Sequence, residues 1–76
     1  MTTDQADHVL ALTVNGEPVR LGRAEATVGE LLAELGYARG FVAVALNRTC
    51  VRRGDYATTP VKEGDEVEIL APMAGG

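Results

Sequence analysis

Few residues of this chain have side chains that could drive a reaction, and their placement works against most reactions. Nucleophilic catalysis needs a thiol or hydroxyl beside a base that takes its proton. The one cysteine is Cys50 and the one histidine is His8, in a polar leader far away in the chain, so the two do not read as a pair. One Cys and one His are also too few for an ordinary zinc site. Glu63, Asp65, Glu66 and Glu68 are the densest acidic group, but a turn followed by the outward side of an alternating strand accounts for them without a cation. Arg52-Arg53 fits a solvated loop better than a nucleotide contact. The segment Gly36 to Gly40 lacks the lysine of a phosphate-binding loop. As a free thiol Cys50 could accept sulfur, yet a lone cysteine more commonly packs as a small, half-buried hydrophobe, and that is the expectation here.

What remains is the last stretch of the sequence, Ala71-Pro72-Met73-Ala74-Gly75-Gly76. A carboxylate is a poor electrophile until transfer of AMP from ATP turns it into a mixed anhydride, which a sulfur nucleophile can attack. Another enzyme must supply that chemistry. Glycine suits an end that threads a narrow channel, because it lacks Cβ and lets the backbone approach a ligand closely. From Ile69 to Gly76 there is no ionisable side chain, which leaves the α-carboxylate as the only charge to accommodate. The expectation is a chain without catalytic machinery of its own, whose reactive group is the carboxyl of Gly76.

A domain must present that end. At 76 residues the chain holds one small domain, too small for a deep enclosed active site. A content of 46% hydrophobic and 24% charged residues is that of a folded globular domain. The net charge of −4, with seven basic residues scattered between Arg20 and Lys62, provides no footprint for nucleic acid and suits a partner with a basic face. A single cysteine excludes an internal disulfide. The start, MTTDQADH, lacks the features of a signal peptide, and no apolar run reaches membrane-spanning length, so the cytoplasm is the expected compartment and no membrane partner is expected.

The elements can be placed from periodicity. Residues 1–8 read as a loose leader, 9–70 as the folded domain and 71–76 as an extended, flexible tail. VLALTV and EPVRL flank Asn15-Gly16, the strongest short hairpin signal, with Pro18 marking the second strand as an edge. Thr27-Val28-Gly29-Glu30 matches a capping box, and Val28, Leu31, Leu32 and Leu35 then form one apolar helical face ended by Gly36. In FVAVAL, from Phe41 to Leu46, Val42, Val44 and Leu46 share the face that should meet the helix, while Ala43 and Ala45 share the other. Asn47-Arg48 turns the chain into a short strand, Thr49 to Val51. A loop carries Tyr56, Ala57 and Val61, and Lys62 to Asp65 is a turn. Glu66 to Leu70 is a final strand with Val67 and Ile69 inward. A helix after a hairpin must pack on one face of the sheet, which predicts a two-layer α+β domain.

That order resembles the ubiquitin-like β-grasp, a mixed sheet of four to five strands packed on one helix. The resemblance implies that the first and last strands lie parallel at the sheet centre and that the C-terminus leaves as a free tail. VNGEPVRL, TVGELLAELGY, VAVALN, ATTPVKEGDEVEIL and PMAGG are together similar to the ThiS family of sulfur carriers in thiamine biosynthesis. The resemblance implies that an E1-like activating enzyme, ThiF, adenylates Gly76 with ATP, that a sulfur donor enzyme supplies the sulfur of a C-terminal thiocarboxylate, and that thiazole synthase, ThiG, consumes it. No permanently bound cofactor is implied. Gly75 takes the threading role, Ala74, Met73 and Pro72 become tail contacts, and the docking surface is placed at the outward sheet face and edge near Glu66, Glu68 and Leu70. The turn Arg48-Thr49-Cys50 and the arginines after it depart from the family pattern and bear on partner choice. Alternatives of the same end chemistry are a MoaD-like small subunit of molybdopterin synthase and a ubiquitin-like modifier; a β-grasp binding module with an incidental Gly-Gly is the alternative without it.

Overall fold

Alternating strands and one amphipathic helix settle the architecture of the protein. Its structure, a computed structural model, describes residues 9–37 and 42–71. The expected leader over 1–8, Phe41, and the tail from Pro72 to Gly76 lie outside the described residues. Strands β1 (Leu10–Val14) and β2 (Glu17–Leu21) pair antiparallel as a hairpin. Asn15 and Gly16 close it at φ of 53° and 84°, the left-handed pair that the Asn-Gly sequence favours. β2 is an edge strand, where Pro18 is tolerated because an edge leaves some N–H groups without a ladder partner.

The one α-helix among the described residues, α1 (Val28–Glu34), begins at the expected capping box. Glu30 N–H donates to Thr27 Oγ1 at 3.1 Å, and Thr27 N–H donates to Glu30 Oε1 at 2.9 Å. Its end is a Schellman motif: with Gly36 at φ 87°, Gly36 N–H donates to Ala33 O and Tyr37 N–H to Leu32 O. Val28, Leu31 and Leu32 are buried, whereas Glu30 and Glu34 face outward and pair with Arg23 at 3.5 and 3.6 Å. Exposed pairs of this kind contribute at most about 1 kcal/mol, so the apolar face holds the helix in place.

Two more strands, β4 (Ala43–Leu46) and β5 (Thr49–Val51), form a second hairpin around Asn47 and Arg48, both at positive φ. After a single 3-10 turn at Arg53–Asp55 the structure departs from the expected loop. Residues Pro60–Val61, β6, pair antiparallel with Ala26–Thr27, β3, in a separate two-stranded sheet. This segment also satisfies the first amides of α1: Val28 N–H donates to Thr59 O at 2.8 Å and Gly29 N–H to Tyr56 O at 2.9 Å. Tyr56 Oη, in turn, donates to Val42 O at 2.8 Å.

Strand β7 (Glu66–Leu70) lies at the centre of the main sheet, whose order is β2-β1-β7-β4-β5. It runs parallel to β1, with Thr13 opposite Glu66, and antiparallel to β4. The first and last strands are therefore parallel neighbours, as the β-grasp resemblance implies. Leu10, Leu12, Val14, Val44, Val67 and Ile69 from the sheet join Val28, Leu31 and Leu32 from the helix in one core. Each such side chain contributes roughly 1.5–3 kcal/mol on burial, and the strand that leads to the tail is anchored in the middle of that core.

Candidate functional site

The site is built on β7 and begins with its alternation. Val67 and Ile69 are 1% and 4% exposed, so the intervening Glu66, Glu68 and Leu70 stand on the opposite, outward face. Leu70 is 72% exposed and is the one exposed large apolar side chain among the described residues. Pairing register adds its neighbours: Ala43 lies opposite Leu70, Ala45 opposite Glu68, and Cys50 opposite Ala45. On the β4 side, small side chains therefore flank Glu68 and Leu70, whereas Glu66 lies between Thr13 of β1 and the Asn47 turn.

Three of the expected contact residues, Glu66, Glu68 and Leu70, are thus brought together on one face, but not at the expected edge, because β7 is paired with β1 on one side and β4 on the other. Pro72, Met73, Ala74, Gly75 and Gly76 lie outside the described residues, as does His8. Cys50 corrects the expectation of a half-buried hydrophobe, for it is free and exposed. The physical reason is its position on the outward side of an edge strand, beside an alanine too small to cover it. Ala43, Ala45 and Cys50 join this face through register: the size alternation in VAVAL puts Ala43 and Ala45 on one side of β4, but only strand pairing sets them beside Leu70 and Glu68, with Cys50 one strand further out.

The acidic turn before β7 has a structural task. Asp65 Oδ2 accepts from Lys62 N–H at 2.7 Å, and its Oδ1 accepts from Asn47 Nδ2 at 3.1 Å. Glu63 Oε1 accepts from Ala11 N–H at 3.0 Å. Among the described residues no group of three or more His, Cys, Asp or Glu is arranged to hold a metal ion. A groove of about 680 Å³ runs between the start of β1 and the β3–β6 pair, lined by Leu10, Arg23, Glu30, Val61 and Lys62 among others. Neither thiol nor imidazole lines it, and Thr27, its one hydroxyl, is engaged as the helix cap. The described residues thus place no nucleophile beside a base in this groove.

Comparison with known proteins decides the family. Residues 12–76 match the model of the ThiS family. The chain belongs to the ThiS family. Among its relatives, the sulfur carrier protein ThiS of Thermus thermophilus is 38% identical over 63 residues, which cover 83% of this chain and 95% of that protein. The crystal structure of the thiamine biosynthesis protein ThiS from Geobacter metallireducens superposes with a TM-score of 0.76 at 42% identity, covering 88% of this chain and 100% of that one. The ThiS-family chain therefore has the ubiquitin-like β-grasp fold. A thiazole synthase of Paramagnetospirillum magneticum is 42% identical over 67 residues, covering 88% of this chain and 20% of that protein. This ThiS-family chain thus spans about a fifth of the length of that longer relative. Among the described residues no helix is long and apolar enough to cross a membrane.

Proposed function

We propose that this chain is a sulfur carrier for the thiazole branch of thiamine biosynthesis, acting as a protein cosubstrate and not as an enzyme. The observation that carries the reading is a family match that runs through Gly75 and Gly76, on a fold whose central strand leads directly to them. A ThiF-like activating enzyme transfers AMP from ATP to the carboxyl of Gly76, with release of pyrophosphate. Sulfur delivered by a donor enzyme at the sulfide level attacks the acyl carbon, AMP leaves with the bonding pair of the anhydride, and a thiocarboxylate remains. A ThiG-like thiazole synthase then takes the sulfur. A segment matching this chain within a thiazole synthase supports that partner, since carrier and acceptor are useful to each other at close range. ATP is the cofactor of the activating step only, and the cytoplasm is the compartment.

Partner recognition combines two regions. Gly75, Ala74, Met73 and Pro72 enter the partner's channel, where glycine permits close backbone approach. Glu66, Glu68 and Leu70 meet the surface around the channel mouth. Intact-mass measurement after incubation with activating enzyme, ATP and a sulfur donor tests the reading. The mass gains the difference between sulfur and oxygen, and deletion of Gly76 removes that gain. An unchanged mass with every cognate activating enzyme overturns the carrier reading; a ladder of protein conjugates favours a modifier, and delivery of sulfur to a molybdopterin synthase moves the chain to that pathway.

A further inference from the structure

β7 is held on its β1 side by a backbone ladder that stops before the strand does. Thr13 N–H donates to Asp65 O at 3.0 Å and Asn15 N–H to Val67 O at 2.9 Å, after which the hairpin carries the backbone of β1 away toward β2. Ile69 is the next residue of β7 to face that side, and the chain supplies it with a side chain in place of a strand. Ile69 N–H donates to Asn15 Oδ1 at 2.8 Å, and Asn15 Nδ2 donates to Ile69 O at 3.2 Å. One primary amide thus satisfies both main-chain groups of the penultimate residue of β7. These are part-buried bonds across a separation of 54 residues, in a place where an unpaired backbone group is costly.

We infer that Asn15 is a positioning residue for recognition by the activating enzyme: its side-chain amide fixes Ile69, the last residue of β7 to face β1, and so sets where the chain leaves the sheet at Leu70 and Ala71. The inference rests on the carrier reading above. An Asn-Gly turn alone does not explain the arrangement, because glycine at position 15 would satisfy the left-handed backbone equally well. Asn47 supplies an internal comparison. It also stands at positive φ in a hairpin turn and also braces β7, but at the other end, where Glu66 N–H donates to Asn47 Oδ1 at 2.9 Å.

The test compares Asn15→Gly with Asn47→Gly, each confirmed folded by circular dichroism at the assay temperature. Both variants keep a turn-compatible residue and lose side-chain bonds to β7. In Asn15→Gly the Ile69 amide exchanges with solvent at least about tenfold faster relative to Val67, and the KM for the chain as substrate of its activating enzyme rises about threefold or more with kcat little changed. Asn47→Gly leaves that KM at the wild-type value. An unchanged Ile69 exchange rate, an unchanged KM in Asn15→Gly, or an equal rise in both variants overturns the inference. A wild-type chain that the activating enzyme does not process overturns the carrier reading instead, and is recognised in the control before either variant is compared.

Discussion

Arg48 is held at φ 71°, a conformation that costs an L-residue with a side chain about 1 kcal/mol and costs glycine little. The first hairpin uses Asn-Gly at the corresponding positions, 15 and 16, whereas the second uses Asn-Arg. Since Arg48 is exposed and lies in a turn, Arg48→Gly stabilises the domain by about 0.5–1 kcal/mol, read as an increased urea midpoint with an unchanged slope. The neighbouring Cys50 gives a second expectation at this scale. Its thiol is exposed in the folded state, so a small aromatic disulfide reagent titrates one thiol per chain as fast without denaturant as with it. A thiol that reacts only after unfolding would return Cys50 to the half-buried role that its residue type suggests.

Among the elements, α1 is short, and a helix of seven residues has little intrinsic stability in water. Its reciprocal cap therefore matters: Thr27→Ala removes the bond from Glu30 N–H to the threonine hydroxyl and leaves only the return bond, from the backbone N–H of residue 27 to Glu30 Oε1. The expected loss is about 1 kcal/mol, measured by urea unfolding, with Thr27→Ser retaining most of it. This cap was legible from Thr27 and Glu30 alone, as were the two hairpins from their asparagines and β7 from the alternation in EVEIL. Those signals are local, because capping and turn chemistry act within a few residues. The β3–β6 pair was not legible, since two residues are too few to show a period and Ala26 meets Val61 from a distant part of the chain. The candidate site divides in the same way. Alternation exposed Glu66, Glu68 and Leu70, whereas the row that sets Ala45 beside Glu68 and Cys50 beyond Ala45 depends on register between strands, which no single segment encodes.

For the molecule as a whole, two acidic side chains share a surface with the one exposed large apolar side chain among the described residues. The chain carries a net charge of −4, and Glu66 and Glu68 project from the central strand on the same face as Leu70. Like charges two residues apart on one face weakly repel each other, and a basic partner surface offsets that repulsion on docking while accelerating the encounter. Their charges can be reversed without cost to the core, because both side chains are exposed and the inward Val67 and Ile69 are untouched. The double substitution Glu66→Lys/Glu68→Lys is therefore expected to leave unfolding free energy within about 0.5 kcal/mol of wild type while weakening binding to the activating enzyme about tenfold at low salt. Because the screening length shortens to about 3 Å at 1 M salt, most of that difference disappears at high ionic strength. Leu70→Ala weakens the same complex by a factor that salt does not erase, since buried apolar area and not charge is lost. Calorimetric titration across a salt series distinguishes the two: parallel salt responses for both variants would place docking on another surface, whereas divergence assigns the glutamates to steering and Leu70 to the contact itself.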